Sequence, residues 1–111
     1  AFEELINRHG RPIIRALRVL INRQELNNSL IYEGLVSIGR LQNSNTESDR
    51  FELLVGLLDH HAPIVRDGAI MGLSFMDNKK AIPYLRKTLT KETVRALREN
   101  IEVAISDLET P

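Results

Sequence analysis

Apolar residues recur along the chain at three- and four-residue intervals, and no segment of appreciable length alternates apolar and polar positions as a half-buried strand would. The spacing predicts helices throughout. Phe2, Leu5 and Ile6 share one side of a short opening helix. Gly10 can end it, and Pro12 can open the next at its first turn, where a missing N–H costs little. Helix two is expected over 12–22, a turn at Asn27–Asn28, and helix three over 29–42. The polar run 43–48 is a loop in which Thr46 and Asp49 resemble a capping pair. Helix four then runs to Asp59. A tight turn at His60, His61 and Ala62 leads to helix five, opened by Pro63 and ending near Met76. Asn78 can cap helix six, in which Pro83 falls early enough to be tolerated. Thr90 can cap the last helix, which reaches Glu109. Short connections make neighbouring helices antiparallel.

The helical pairs repeat. Ile14, Leu17 and Ile21 match Phe51, Leu54 and Leu58, then Ile82, Leu85 and Leu89, each at spacing i, i+3, i+7. In the second helices Leu30, Gly34, Ser37, Ile38 and Leu41 match Val65, Ala69, Gly72, Leu73 and Met76 at an offset of 35 residues. The last helix carries Val94, Leu97, Ile101, Ile105 and Leu108. Glycine inside a helix costs about 1 kcal/mol relative to alanine. Close approach of the two helices of a hairpin at Gly34, Ser37, Ala69 and Gly72 would offset that cost. The organisation expected is one domain over 1–111: a leading helix over 1–10 and repeats over 12–42, 47–76 and 79–109.

The run Leu57-Leu58-Asp59-His60-His61-Ala62-Pro63-Ile64-Val65-Arg66, followed by Ala69, Gly72, Leu73, Asp77, Asn78 and Ala81-Ile82-Pro83-Tyr84-Leu85, resembles the HEAT-repeat family, particularly its short bilin-lyase-like branch. Val94-Arg95 repeats the Val-Arg step. The likeness is good over 50–95, fair over 12–45 and weak over 96–111. The sequence departs from the family pattern in three places. Ala62 stands where an acidic residue is usual before the proline. Leu30-Ile31 replaces Val-Arg, and Arg98 replaces a small residue. The resemblance implies an all-α fold, a right-handed α-α superhelix of three antiparallel helical hairpins preceded by one helix. About three such repeats are needed to bury a common core. The polar side of the last helix (Arg95, Glu99, Glu102, Ser106, with Arg95–Glu99 and Arg98–Glu102 pairs at i, i+4) suits a solvated end.

Composition narrows the function. A chain of 111 residues suits one domain. Without cysteine, disulfides and thiolate metal sites are excluded. Fifteen basic residues cancel fifteen acidic ones, so net charge predicts no general attraction to nucleic acid or an anionic membrane. Residues 1–45 nevertheless carry more basic than acidic groups, and 46–111 the reverse. No apolar stretch approaches the ~20 residues that span a bilayer. Neither is there a secretory leader pattern. The first residue is Ala1, which reads as a processed protein or excised domain, and a cytoplasmic location is expected.

In HEAT-like stacks the second helices line a concave face. The positions opposite the expected buried stripe are Tyr32, Val36 and Gly39, then Asp67, Met71 and Ser74, then Ala96, Asn100 and Val103. Tyr, Val and Met with few polar neighbours suit a peptide or partner helix. A purely solvated face would be more polar, although scattered exposed apolar residues are ordinary. A second candidate is the arginine face of Arg8, Arg11, Arg15 and Arg18, continuing to Arg23. Guanidinium forks hold phosphates well. Such a face is also what a solubilising outer surface needs, and no aromatic residues interleave along the run for base stacking. His60–His61 reads as a surface turn, because adjacent side chains seldom converge on one ion and only His9 remains as a third imidazole. No Gly-x-Ser-x-Gly elbow, glycine-rich phosphate loop or His-Glu-x-x-His helix is present. The expectation is therefore a non-enzymatic scaffold without cofactor or metal that presents a groove to a protein or peptide. The alternatives are a nucleic-acid or phosphate binder, and an auxiliary that handles a bilin chromophore or its carrier.

Overall fold

The computed structural model describes residues 2–24 and 27–111, with the side chains of Phe2, Glu3 and Leu5 outside the described set. Of the apolar trio expected on the opening helix, only Ile6 is therefore described, and it is fully buried. The described residues form seven α-helices and no strand: α1 (Phe2–His9), α2 (Arg11–Asn22), α3 (Asn28–Arg40), α4 (Glu47–Gly56), α5 (Pro63–Met76), α6 (Ala81–Lys91) and α7 (Arg95–Glu109). Short 3-10 turns at Ser44–Thr46 and Leu57–Asp59 precede and follow α4.

The helices stack in two layers. α3 packs on α5, α5 on α7, and α1 beside α3. The other layer joins α2 to α4, and the turn Leu57–Asp59 to α6. The leading helix α1 thus lies in the layer of the second helices. A body measuring 35 × 32 × 17 Å has the thickness of a double layer of helices, each about 10 Å across.

Local chemistry explains where the helices begin and end. Gly10 takes φ +65°, a left-handed value that glycine adopts without penalty, and turns α1 into α2. Asn27 caps α3 by accepting the N–H groups of Ser29 and Leu30 at 2.8 and 3.4 Å. The expected Asn27–Asn28 turn is therefore shorter by one residue. Pro63 sits at the start of α5, and Pro83 is the third residue of α6. Neither position has an intrahelical acceptor for an N–H.

Two expected caps are replaced. Thr46 does not cap α4; its hydroxyl instead accepts a hydrogen bond from Arg50 Nε at 2.9 Å. Thr90 lies within α6, its hydroxyl bonded to Lys87 O. The Glu92 carboxylate accepts the Thr93 and Val94 N–H groups ahead of α7.

The core runs between the layers from Ile6, Ile14, Leu17 and Ile21 to Ile101 and Leu108. Phe51, Ile82 and Leu89, expected within it, are only partly buried. The repeat register also differs by one residue. Leu30 and Ile64 are exposed, at 46% and 39%, whereas Ile31 and Val65 are buried. The inward stripe of α3 is Ile31, Gly34, Leu35, Ile38 and Gly39; that of α5 includes Val65, Gly68, Ala69 and Gly72. Buried positions therefore correspond at an offset of 34 residues.

Candidate functional site

Three glycines join α3 to α5. A Cβ on Gly39 would lie 2.1 Å from Gly72 O, one on Gly72 2.7 Å from Leu35 O, and one on Gly68 3.1 Å from Tyr32 Cα. Backbone thus rests directly on backbone. The close approach expected inside each hairpin occurs chiefly between successive second helices, with Gly72 also meeting Leu54 of α4. Gly39, expected in the groove, is consequently buried in this seam.

The seam holds the outward residues of α3 and α5 side by side. Tyr32, Val36 and Met71 line one cavity of about 460 Å³ together with Glu33, Ser37, Arg40 and Phe75. The Arg40 guanidinium lies 4.4 Å from the centre of the Phe75 ring, within cation–π range. Burial raises the Tyr32 phenol pKa above its ordinary value of 10.0, the Asp67 carboxylate adds to the rise, and Arg40 opposes it. Asn100 donates from Nδ2 to Asp67 Oδ1 at 2.9 Å and ties α7 to α5 on the same side. Ser74 is partly buried and Val103 is 59% exposed; neither lines the cavity. Sequence reasoning missed Arg40 and Phe75. The signal was present, since each lies one further i+4 step along the strides Tyr32–Val36 and Asp67–Met71.

The remaining candidates separate. Arg8, Arg11, Arg15 and Arg18 are all exposed. Arg11 Nε lies 2.7 Å from Asp49 Oδ2, an oxygen shielded from solvent and not aligned with it as a hydrogen bond. His60 and His61 stack with ring centres 4.3 Å apart, and His60 Nδ1 accepts the Ala62 N–H at 3.0 Å. Burial, the neighbouring His61 and Arg66 lower the His60 pKa below 6.5. Among the described residues, no three His, Cys, Asp or Glu side chains cluster as a metal site would require.

Two arginines hold the ends of the helices: Arg50, which sequence reasoning left unassigned, and Arg98. Arg50 is 1% exposed and donates to the carbonyls of Ile38, Leu41 and Asn43 at 2.7–3.0 Å. Its positive charge meets the carbonyl end of α3, where the helix dipole is negative. Arg98, which departs from the family pattern, donates to Leu89 O and Glu92 O at the end of α6. That use replaces the expected Arg98–Glu102 pair, whereas Arg95 and Glu99 do meet at 3.3 Å.

Residues 11–106, the greater part of the chain, match the family model described as HEAT repeats. The chain belongs to the HEAT-repeat family. No curated protein and no solved structure matches it. The second helices of these HEAT repeats, α3, α5 and α7, pack one on the next in a single layer. Among the described residues, no helix is long and apolar enough to cross a membrane.

Proposed function

We propose that the chain is a non-enzymatic scaffold that holds a segment of a partner protein against α3, α5 and α7. The observation that carries this reading is the cavity between α3 and α5, where Tyr32, Val36, Met71 and Phe75 supply apolar surface on helices locked by glycine contacts. HEAT repeats commonly serve as protein-interaction scaffolds, and a rigid platform loses little conformational entropy when a partner docks. Met71 and the aromatic rings supply adaptable contact area, while Glu33, Ser37 and Arg40 supply the polar edge typical of interface rims. Asp67, Ser74, Asn100 and Val103 would extend the contact toward α7.

The test is capture of a partner by wild type and by Met71→Glu, with circular dichroism and thermal unfolding as controls for the fold. Loss of the wild-type partner with the fold intact supports the reading. Equal capture by a folded Met71→Glu variant refutes it.

A further inference from the structure

We propose that the opposite, outer layer carries a separate binding site for single-stranded nucleic acid, centred on Arg18, Phe51 and Tyr84. The residues come from three helices. Arg18 of α2, Phe51, Glu52, Val55 and Gly56 of α4, and Tyr84 of α6 line one cavity of about 460 Å³. Phe51 and Tyr84 meet edge to face, with centroids 6.0 Å apart and planes at 74°. Tyr84 remains 46% exposed although it belongs to this pair. The aromatic partners missing from the arginine run in the sequence are therefore supplied by other helices.

Gly56 provides an independent observation. Its φ is −63°, which any residue adopts, and a Cβ there would meet nothing within 4 Å. Neither backbone strain nor packing calls for glycine at this last residue of α4, where its cost is smaller than the roughly 1 kcal/mol of an interior helical position. Gly56 lines this cavity beside two aromatic rings and an arginine, and the space around it is open.

The helices that flank the cavity are basic, while α4 between them carries Glu47, Asp49 and Glu52 against the buried Arg50. α2 carries Arg11, Arg15 and Arg18 and no acidic residue; α6 carries Arg86, Lys87 and Lys91 and no acidic residue. Arg11, Arg86 and Lys91 are matched by Asp49, Glu109 and Asp59. Among the described residues, Arg15, Arg18 and Lys87 make no ion pair. With Arg11 held by Asp49, Arg15 and Arg18, about 4.5 Å apart along the axis of α2, form a short ladder of two unpaired charges for successive phosphates. A base stacked on Tyr84 with its phosphates on this ladder uses both features, and base–aromatic stacking contributes about 1–3 kcal/mol per base. Glu52 opposes an anion here and fixes the sign of one control.

The test is fluorescence anisotropy of a labelled oligo-dT strand of about 20 nucleotides with the full chain, at about 20 and about 200 mM salt. The expected result is binding that weakens steeply with salt. Tyr84→Ala and Gly56→Leu should each weaken it at least about fivefold with the fold intact, the loss of one stacked base. Arg18→Ala should lower the salt slope by about one. Glu52→Gln should tighten binding. In a Tyr32→Phe background the remaining tyrosine emission comes from Tyr84 and should be quenched by the strand. Absence of binding at low salt overturns the proposal. So does binding unchanged by both Tyr84→Ala and Gly56→Leu, or equal, equally mutation-sensitive binding of a duplex.

Discussion

Arg66 and Glu92 form a two-pronged ion pair, with Nε–Oε1 at 2.9 Å and Nη2–Oε2 at 3.0 Å, joining the start of α5 to the turn before α7. Only 2% of the Glu92 side chain and 17% of the Arg66 side chain are exposed. Each partner has further duties. Arg66 Nη1 donates to His60 O and His61 O, and Glu92 accepts the Thr93 and Val94 N–H groups. The pair therefore fastens two turns as well as two helices. Glu92→Gln keeps the shape and leaves a largely buried guanidinium without its carboxylate. It should cost about 3 kcal/mol, near the lower end for breaking a buried pair because Arg66 keeps some solvent. Urea unfolding at neutral pH measures it, and a change below about 0.5 kcal/mol, as for a surface pair, would contradict it.

Acid should weaken the fold in two stages. Burial first, then His61 and Arg66, depress the His60 pKa below 6.5. The unfolded chain therefore binds this proton before the folded one, and stability falls as pH drops below about 6.5. Arg66 holds the Glu92 carboxyl below its ordinary 4.5, helped by the Val94 and Thr93 N–H groups and opposed by burial. The Glu92 contribution is present above pH 4.5 and is lost as pH falls through the folded-state value. Urea midpoints followed from pH 7.5 to pH 3 should decline in both windows. His60→Asn should flatten the upper one and Glu92→Gln the lower.

Glycines that look alike in the sequence should behave oppositely. A Cβ at Gly39 would sit 2.1 Å from the Gly72 carbonyl oxygen, an overlap that only backbone displacement can relieve. Gly39→Ala should cost more than about 3 kcal/mol, since overpacking a tight contact costs about 1–3 kcal/mol even where side chains can yield. At Gly56 the added methyl meets nothing and φ is helical, so Gly56→Ala should stabilise the chain by up to about 1 kcal/mol. Thermal unfolding of both variants checks the contrast. Equal shifts would mean that α3 and α5 are not in backbone contact.

The helices were legible because the apolar positions of α2, α5 and α7 keep helical spacing and because Gly10, Pro63 and Asp77 sit at or beside their ends. The register of α3 was not. Leu30 and Ile31 are both aliphatic, and only packing on α5 shows that Ile31 turns inward. The glycine seam was placed only in part for a similar reason: Gly72 does meet Leu54 within its own hairpin, but it also presses on Leu35 of α3. Sequence spacing shows that a small residue lies on a stripe, not which neighbour presses on it. Tyr32, Val36 and Met71 were found from the helical stride, and the same stride taken one turn further reaches Arg40 and Phe75. The pairing of Phe51 with Tyr84 lies beyond any local pattern, because 33 positions separate them in the numbering and the packing of the turn after α4 against α6 brings them together.

Arg50 gives the last prediction. It is a buried guanidinium whose hydrogen-bond partners are all neutral oxygens: the Thr46 hydroxyl and the carbonyls of Ile38, Leu41 and Asn43. Burial lowers its pKa from the ordinary value while Glu47 opposes that shift. The charge is tolerated because the carbonyls it reaches include those at the negative end of α3, and because the planar fork reaches four oxygens at once. Arg50→Met removes the charge together with the donors and leaves three carbonyls to find other partners. With about 1 kcal/mol per hydrogen bond, and more for those made by a charged donor, the loss should be on the order of 3–5 kcal/mol. Arg50→Lys keeps the charge but not the fork, and a single ammonium at the end of a flexible stem cannot reproduce the spread of the guanidinium. It should recover less than half of the loss. Urea unfolding of the two variants compares them. If lysine restored full stability, charge alone would account for Arg50, and the turn between α3 and α4 would owe nothing to guanidinium geometry.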